Sequence, residues 1–122
     1  MKKYKNCVIF SLSGSSSECI LWHYSGKFYF GGWKNNDASE GEKTGSGLEY
    51  VPGKYVYKGQ FLGGKKNGTG IIKTNNGNIY DGQWVDGVKN GRGAYLEVNT
   101  KTLYNGEWKD GKRDGYGFLK FS

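Results

Sequence analysis

The chain predicts an all-β fold, an elongated single-layer antiparallel β-meander of stacked β-hairpins, and three observations carry that expectation. One phrase, Tyr-x-Gly-x-Trp/Phe followed by a glycine-bearing turn and Gly-x-Gly, is written four times. Its opening tyrosines, Tyr29, Tyr57, Tyr80 and Tyr104, follow one another at intervals of 28, 23 and 24 residues, the first lengthened by five extra residues between Trp33 and Gly45. A fixed period of that size marks a repeat architecture, whose unit is too small to bury a face alone and stacks on its neighbours. The 22 glycines are spread so that only 1–13, 15–25 and 94–105 exceed ten residues without one, and none of these has helical periodicity.

The elements follow in order. Residues 1–28 read as an N-terminal cap with a half repeat. Tyr4-x-Asn6-x-Val8 resembles a decayed opening strand, and Cys19-Ile20-Leu21 through Gly26 and Tyr29 matches Gly70-Ile71-Ile72 through Gly77 and Tyr80 at the same spacings. Four units then occupy 29–56, 57–79, 80–103 and 104–122. Within a unit, residues two apart such as Tyr80, Gly82 and Trp84 point to one face of a strand. The glycine between two rings leaves a slot in which a neighbouring ring lies flat on the backbone, the known remedy for a glycine inside a strand. Val85-Asp86-Gly87-Val88-Lys89 reads as a turn, and Ala94-Tyr95-Leu96-Glu97-Val98 as a second strand. Val51-Pro52-Gly53-Lys54 and Asn75-Asn76-Gly77-Asn78 are turns between units. Apolar residues fall on both parities of the second strand (Ile71 and Ile72, Phe118 and Leu119), so its faces are not assigned by pattern.

Tyr104-Asn105-Gly106-Glu107-Trp108-Lys109-Asp110-Gly111-Lys112-Arg113-Asp114-Gly115-Tyr116-Gly117 resembles the MORN repeat (membrane occupation and recognition nexus), and the resemblance extends over residues 29 to 121. It implies a sheet whose aromatic face curves into a groove for a partner helix or peptide. The rings placed there are Tyr29, Trp33, Tyr57, Phe61, Tyr80, Trp84, Tyr104 and Trp108. A single layer has nothing to cover that stripe, and partly exposed rings would form an apolar patch of the kind that marks interaction sites. The resemblance also implies contact with acidic phospholipids.

Composition excludes several classes. Apolar residues make up 35% of the 122, nearly half of that share aromatic, which suits a thin sheet packed by rings. Cys7 and Cys19 form no disulfide framework and are expected as reduced thiols. No apolar run approaches the ~20 residues of a membrane span. Met1-Lys2-Lys3 and the apolar Cys7–Phe10 hint at a secretory signal, but Ser11 and Ser13 interrupt it and no Ala-x-Ala follows, so the start reads as a mature cytosolic one. A cytoplasmic protein, membrane- or cytoskeleton-associated, is expected. The one histidine, His23, sits in Ile20-Leu21-Trp22-His23-Tyr24, the middle of a predicted strand, and reads as structural. Cys7, Cys19 and His23 lack the spacing of a metal site. There is no phosphate-loop motif, and Asp86, Asp110 and Asp114 fall in turns. Neither catalysis nor a cofactor is expected.

Two further surfaces are candidates. The net charge is +7, and stacked turns should align Lys34, Lys43, Lys65, Lys66, Lys89, Arg92, Lys109, Lys112 and Arg113 into a basic edge that attracts anionic membranes. The strand ending at Phe121 leaves an open edge, where Leu119 and Phe121 invite a two-fold homodimer. The segment 36–43 is an acidic insertion read as a loop. The expected function is non-catalytic, protein–protein interaction or scaffolding through the aromatic groove. Peripheral lipid binding through the basic edge is the alternative, and sugar or small-ligand binding by stacked rings a third reading. Nucleic acid is not expected, since no recognisable module is present.

Overall fold

Alternating aromatic and glycine positions on the leading strand of each of the four repeats decide how this sheet packs. The computed structural model describes residues 6–11, 17–23, 25–34 and 41–121, and ten strands lie within them. These are β1 (Asn6–Ser11), β2 (Ser17–Trp22), β3 (Phe28–Lys34), β4 (Glu42–Val51), β5 (Tyr55–Leu62), β6 (Lys65–Thr74), β7 (Ile79–Val85), β8 (Val88–Glu97), β9 (Thr102–Lys109) and β10 (Lys112–Phe121). They form one sheet in sequence order, each antiparallel to the next. The meander expected from the repeat is therefore the observed fold, and the described residues contain no helix.

The glycines stand in register. Gly31, Gly47, Gly59, Gly70, Gly82, Gly93, Gly106 and Gly117 pair one to the next across the sheet. Each tyrosine folds over this row. The Tyr80 hydroxyl donates to the Gln83 carbonyl at 2.8 Å, and its ring occupies the space that a Cβ at Gly93 would need. Tyr29, Tyr57 and Tyr104 repeat the arrangement with Gly32, Gln60 and Glu107 at 2.8, 2.9 and 3.0 Å. A glycine row that would weaken an ordinary strand here supplies the space for the core.

The turn after Trp84 is shorter than the sequence implies. Asp86 and Gly87 alone connect β7 to β8, both at positive φ (49° and 86°), and Asp110 and Gly111 do the same after β9. Asp-Gly is the favoured pair for a two-residue hairpin turn of this hand. Residues 88–93, set apart from the second strand by sequence, are consequently its first half. Between Phe61 and Gly59 the chain of β6 carries three residues, Asn67 to Thr69, against the single Gln60. Two extra residues keep the parity, so Lys66, Gly70 and Ile72 share the ring face while Ile71 lies on the other. The same bulge recurs in β8 and β10.

β1 and β2, from the segment read as a cap, extend the same sheet. His23 lies just beyond β2 rather than inside a strand. Its Nδ1 is 2.8 Å from the Ser25 hydroxyl, and its backbone N–H donates to the Lys27 carbonyl at 2.8 Å, closing the turn into β3. Tyr4, Tyr24, and residues 36–40 of the acidic insertion lie outside the described residues, whereas Glu42 and Lys43 open β4.

Candidate interaction surfaces

The ring stripe expected to line a groove is the core instead. Tyr29, Trp33, Tyr57, Phe61, Tyr80, Trp84, Tyr104 and Trp108 are between 0 and 7% exposed. Seven of them cover one another edge to face in one continuous zigzag, and Trp33 lies tilted at 51° beside Tyr29. Centroids stand 5.4 Å apart for Tyr29 and Phe61, 5.1 Å for Tyr57 and Phe61, 5.5 Å for Tyr57 and Trp84, and 5.2 Å for Tyr80 with both Trp84 and Trp108. Such pairs gain beyond their buried area because positive ring edges meet negative faces. The indole N–H of Trp84 donates to the Gly70 carbonyl and that of Trp108 to the Gly93 carbonyl, both at 3.0 Å. Trp84 and Trp108 thus each lie on the unit before their own. Rings so covered give a partner little surface, which corrects the expectation of a half-open stripe.

Cations close this core. Lys43, Lys66, Lys89 and Arg113 occupy equivalent places and lie over the rings. Lys66 Nζ is 4.7 Å from the Tyr55 centroid, Lys89 Nζ 5.4 Å from both Tyr80 and Trp108, and Arg113 Cζ 4.8 Å from Tyr104. Lys43 is buried and paired with buried Glu49 at 2.9 Å, while Lys66 stands 3.9 Å from the same carboxylate and the Tyr55 hydroxyl donates to it at 2.6 Å. Burial alone would raise the Glu49 pKa, but Lys43, Tyr55 and Lys66 together hold it below the usual carboxylate value. Burial lowers the pKa of Lys66 and of Lys89, and pushes the Tyr57 and Tyr80 phenols up to about 12.

The basic edge therefore divides. Lys43, Lys66 and Lys89 are drawn in over the ring face, Lys43 paired there with Glu49, and Arg113 lies over the rings while remaining exposed. Lys34, Lys65, Lys109 and Lys112 stay exposed beside the hairpin turns, and exposed Arg92 projects from the opposite face. The row of nine charges anticipated along one edge is thus a smaller exposed set.

On the face opposite the rings lies an open depression of about 670 Å³. Phe30, Leu48, Lys58, Ile71 and Asp81 pair successively across β3 to β7 along it, and glycine backbone of the central row comes to its surface. Phe30 and Ile71 are each 39% exposed, large for apolar side chains in a hollow. Glu18 lies at one end, Asp81 at the other and Lys58 between them. Sequence reasoning missed this surface, although the apolar residues on both parities, Ile71 beside Ile72, carried its signal.

The described residues hold no cluster of three His, Cys, Asp or Glu side chains fit for a metal ion, and no helix long and apolar enough to cross a membrane. Cys19 is fully buried in the ring face. The model of the MORN repeat family matches residues 57–79, 80–96 and 104–122. No curated protein matches the chain.

Proposed function

This chain is a MORN repeat protein, and on that premise we propose that it is a non-catalytic interaction module that holds a segment of a partner protein in the depression opposite its ring ladder. Repeats of this family generally take part in protein–protein or membrane interactions and are typically non-catalytic. The observation that carries the reading is the exposure of Phe30 and Ile71, with half-buried Leu48 between their strands, along a glycine-backed hollow of about 670 Å³. Apolar hollows with a few placed polar groups are the usual form of a binding site. Lys58 in the middle calls for an acidic residue on the partner, and Glu18 and Asp81 at the ends call for basic ones. The test compares affinity-captured proteins for the native chain and for Leu48→Asp and Ile71→Asp, followed by titration of purified candidates. Partners lost by both variants, whose circular dichroism is unchanged, support the reading. Partners retained by both overturn it.

A second reading is favoured by the exposed Lys34, Lys65, Lys109 and Lys112, which fit peripheral contact with anionic membranes. Attraction of this kind is long-ranged and screened by salt. Sedimentation with anionic vesicles at low salt, abolished by reversing Lys65, Lys109 and Lys112 to Glu, is its expected result. No sedimentation of the native chain removes it.

A further inference from the structure

The turn into β9 departs from the turns into the other repeats. Three residues before the leading tyrosine, the turns into β3 and β7 carry Gly26 and Gly77, at φ of 92° and 91°. Gly53, at 74°, serves the turn into β5. The turn into β9 has Lys101 at that place, at a φ of 55°. The left-handed region crowds a side chain and is entered mainly by glycine, asparagine and aspartate. Asp86 and Asp110, the other non-glycine residues at positive φ among those described, belong to Asp-Gly hairpin turns that favour it. Lys101 belongs to no such turn. A strained residue where glycine would be relaxed points to a task for its side chain.

Lys101 lines a hollow of about 340 Å³ on the face opposite the rings, together with Leu96, Val98, Leu103 and Lys120. This hollow is separate from the depression across β3 to β7, and it lies at the end of the strands away from Lys109 and Lys112. Leu96 and Val98 are 36 and 38% exposed, and Leu103 is half-buried. The Val98 N–H donates to Asn78 Oδ1 at 3.0 Å, which fixes the flank of the hollow. Strand pairing sets Lys120 beside Leu103, Leu103 beside Leu96, and Leu96 beside half-buried Ile79. Lys73, paired with Ile79, closes the row. Three apolar side chains at a strand spacing of about 4.8 Å therefore follow the Lys120 cation, over about 10 Å. Lys101 and Lys120 are exposed, and neither has an ion-pair partner among the described residues. Glu97, the carboxylate nearest to Lys101 in the chain, stands opposite Thr102 on the ring face.

We propose that this hollow binds a free medium-chain fatty acid. Lys101 and Lys120 hold its carboxylate through charge-assisted hydrogen bonds. The tail lies across Leu103, Leu96 and Ile79, with Val98 at its side. Two cations beside an apolar floor select an anion with an apolar tail, and Lys73 at the far end of the row favours a medium tail over a long one. The volume stands at the lower end of the range of about 300–1,000 Å³ usual for small-molecule sites, which suits a single chain rather than a bilayer.

The test is titration calorimetry of the full chain with decanoate below its micelle-forming concentration, with decanol, acetate and anionic phospholipid vesicles as comparisons. Decanoate should bind saturably, one to one, and about tenfold or more tighter than decanol or acetate. Lys101→Gly should raise the thermal midpoint, because glycine relaxes the turn, while it weakens decanoate about tenfold or more. A lysine that served the turn alone would give the first effect without the second. Lys120→Ser, at an exposed position where circular dichroism should not change, should weaken decanoate equally. Absence of saturable decanoate binding, decanol bound as tightly, or binding that survives either lysine substitution overturns the proposal. So does vesicle binding that needs both lysines in a chain that ignores decanoate, because the occupant is then a bilayer.

Discussion

Two residues show how narrowly the core is built. A Cβ at Gly93 would overlap the Tyr80 ring, which neighbouring rings hold in place. Gly93→Ala should destabilise the chain by about 3 kcal/mol in urea denaturation, the cost of overpacking a rigid site. Gly87→Ala meets open space and only the strain of its φ of 86°, so a loss of about 1 kcal/mol is expected. Glu49 is the carboxylate within reach of two inward-facing lysines, where the later units place Ile72, Tyr95 and Leu119. Its pKa in the folded chain lies below the ordinary value of 4.5. Its ionised form thus contributes stability that is present above 4.5 and lost as pH falls through the lower folded value. The unfolding free energy should decline on acidification over that window, and Glu49→Gln should flatten the decline. The same substitution should cost about 3 kcal/mol at neutral pH, because Lys43 is left buried without its counter-charge.

At the scale of the hairpin, one side chain holds the bulge. Gln83 Oε1 accepts the Arg92 N–H at 2.6 Å, Gln60 the Thr69 N–H at 2.8 Å and Glu107 the Tyr116 N–H at 2.8 Å. Gln83→Ala should lower the thermal midpoint by an amount equivalent to about 1 kcal/mol, the net worth of such a bond. Gln83→Glu should be nearly silent, since Glu107 already does this in the last unit. The hairpins were legible in the sequence because Tyr80, Gly82 and Trp84 alternate on one face and Asp-Gly marks a tight turn. The faces of the second strand were not. Ile71 and Ile72 are equally apolar, and only the bulge shows that Ile72 joins the rings. Nor did the pattern reveal that Lys43 lies inside, since a lysine near a turn ordinarily stays in solvent. The burial of the stripe was hidden for a related reason: spacing shows that Tyr57 and Trp84 share a face, not that their rings meet at 87° and shield each other.

Across the whole molecule, each unit depends on the one that follows it for cover. Protection should therefore be uneven, as in other arrays stabilised by nearest neighbours. In hydrogen-exchange measurements, amides of β6 and β8 should be the slowest, and those of Tyr116 to Phe121 should exchange well before them. Uniform protection through β10 in a monomer would contradict the dependence. The ring ladder has a further, optical consequence. Tyr29, Tyr57, Tyr80 and Tyr104 each lie within 6.3 Å of a tryptophan by ring centroid. Light absorbed by these phenols passes to the indoles before it can be re-emitted, so the folded chain carries its own energy-transfer gauge of unit stacking. Tyrosine emission should rise as the ladder separates, reporting the order in which neighbouring units let go.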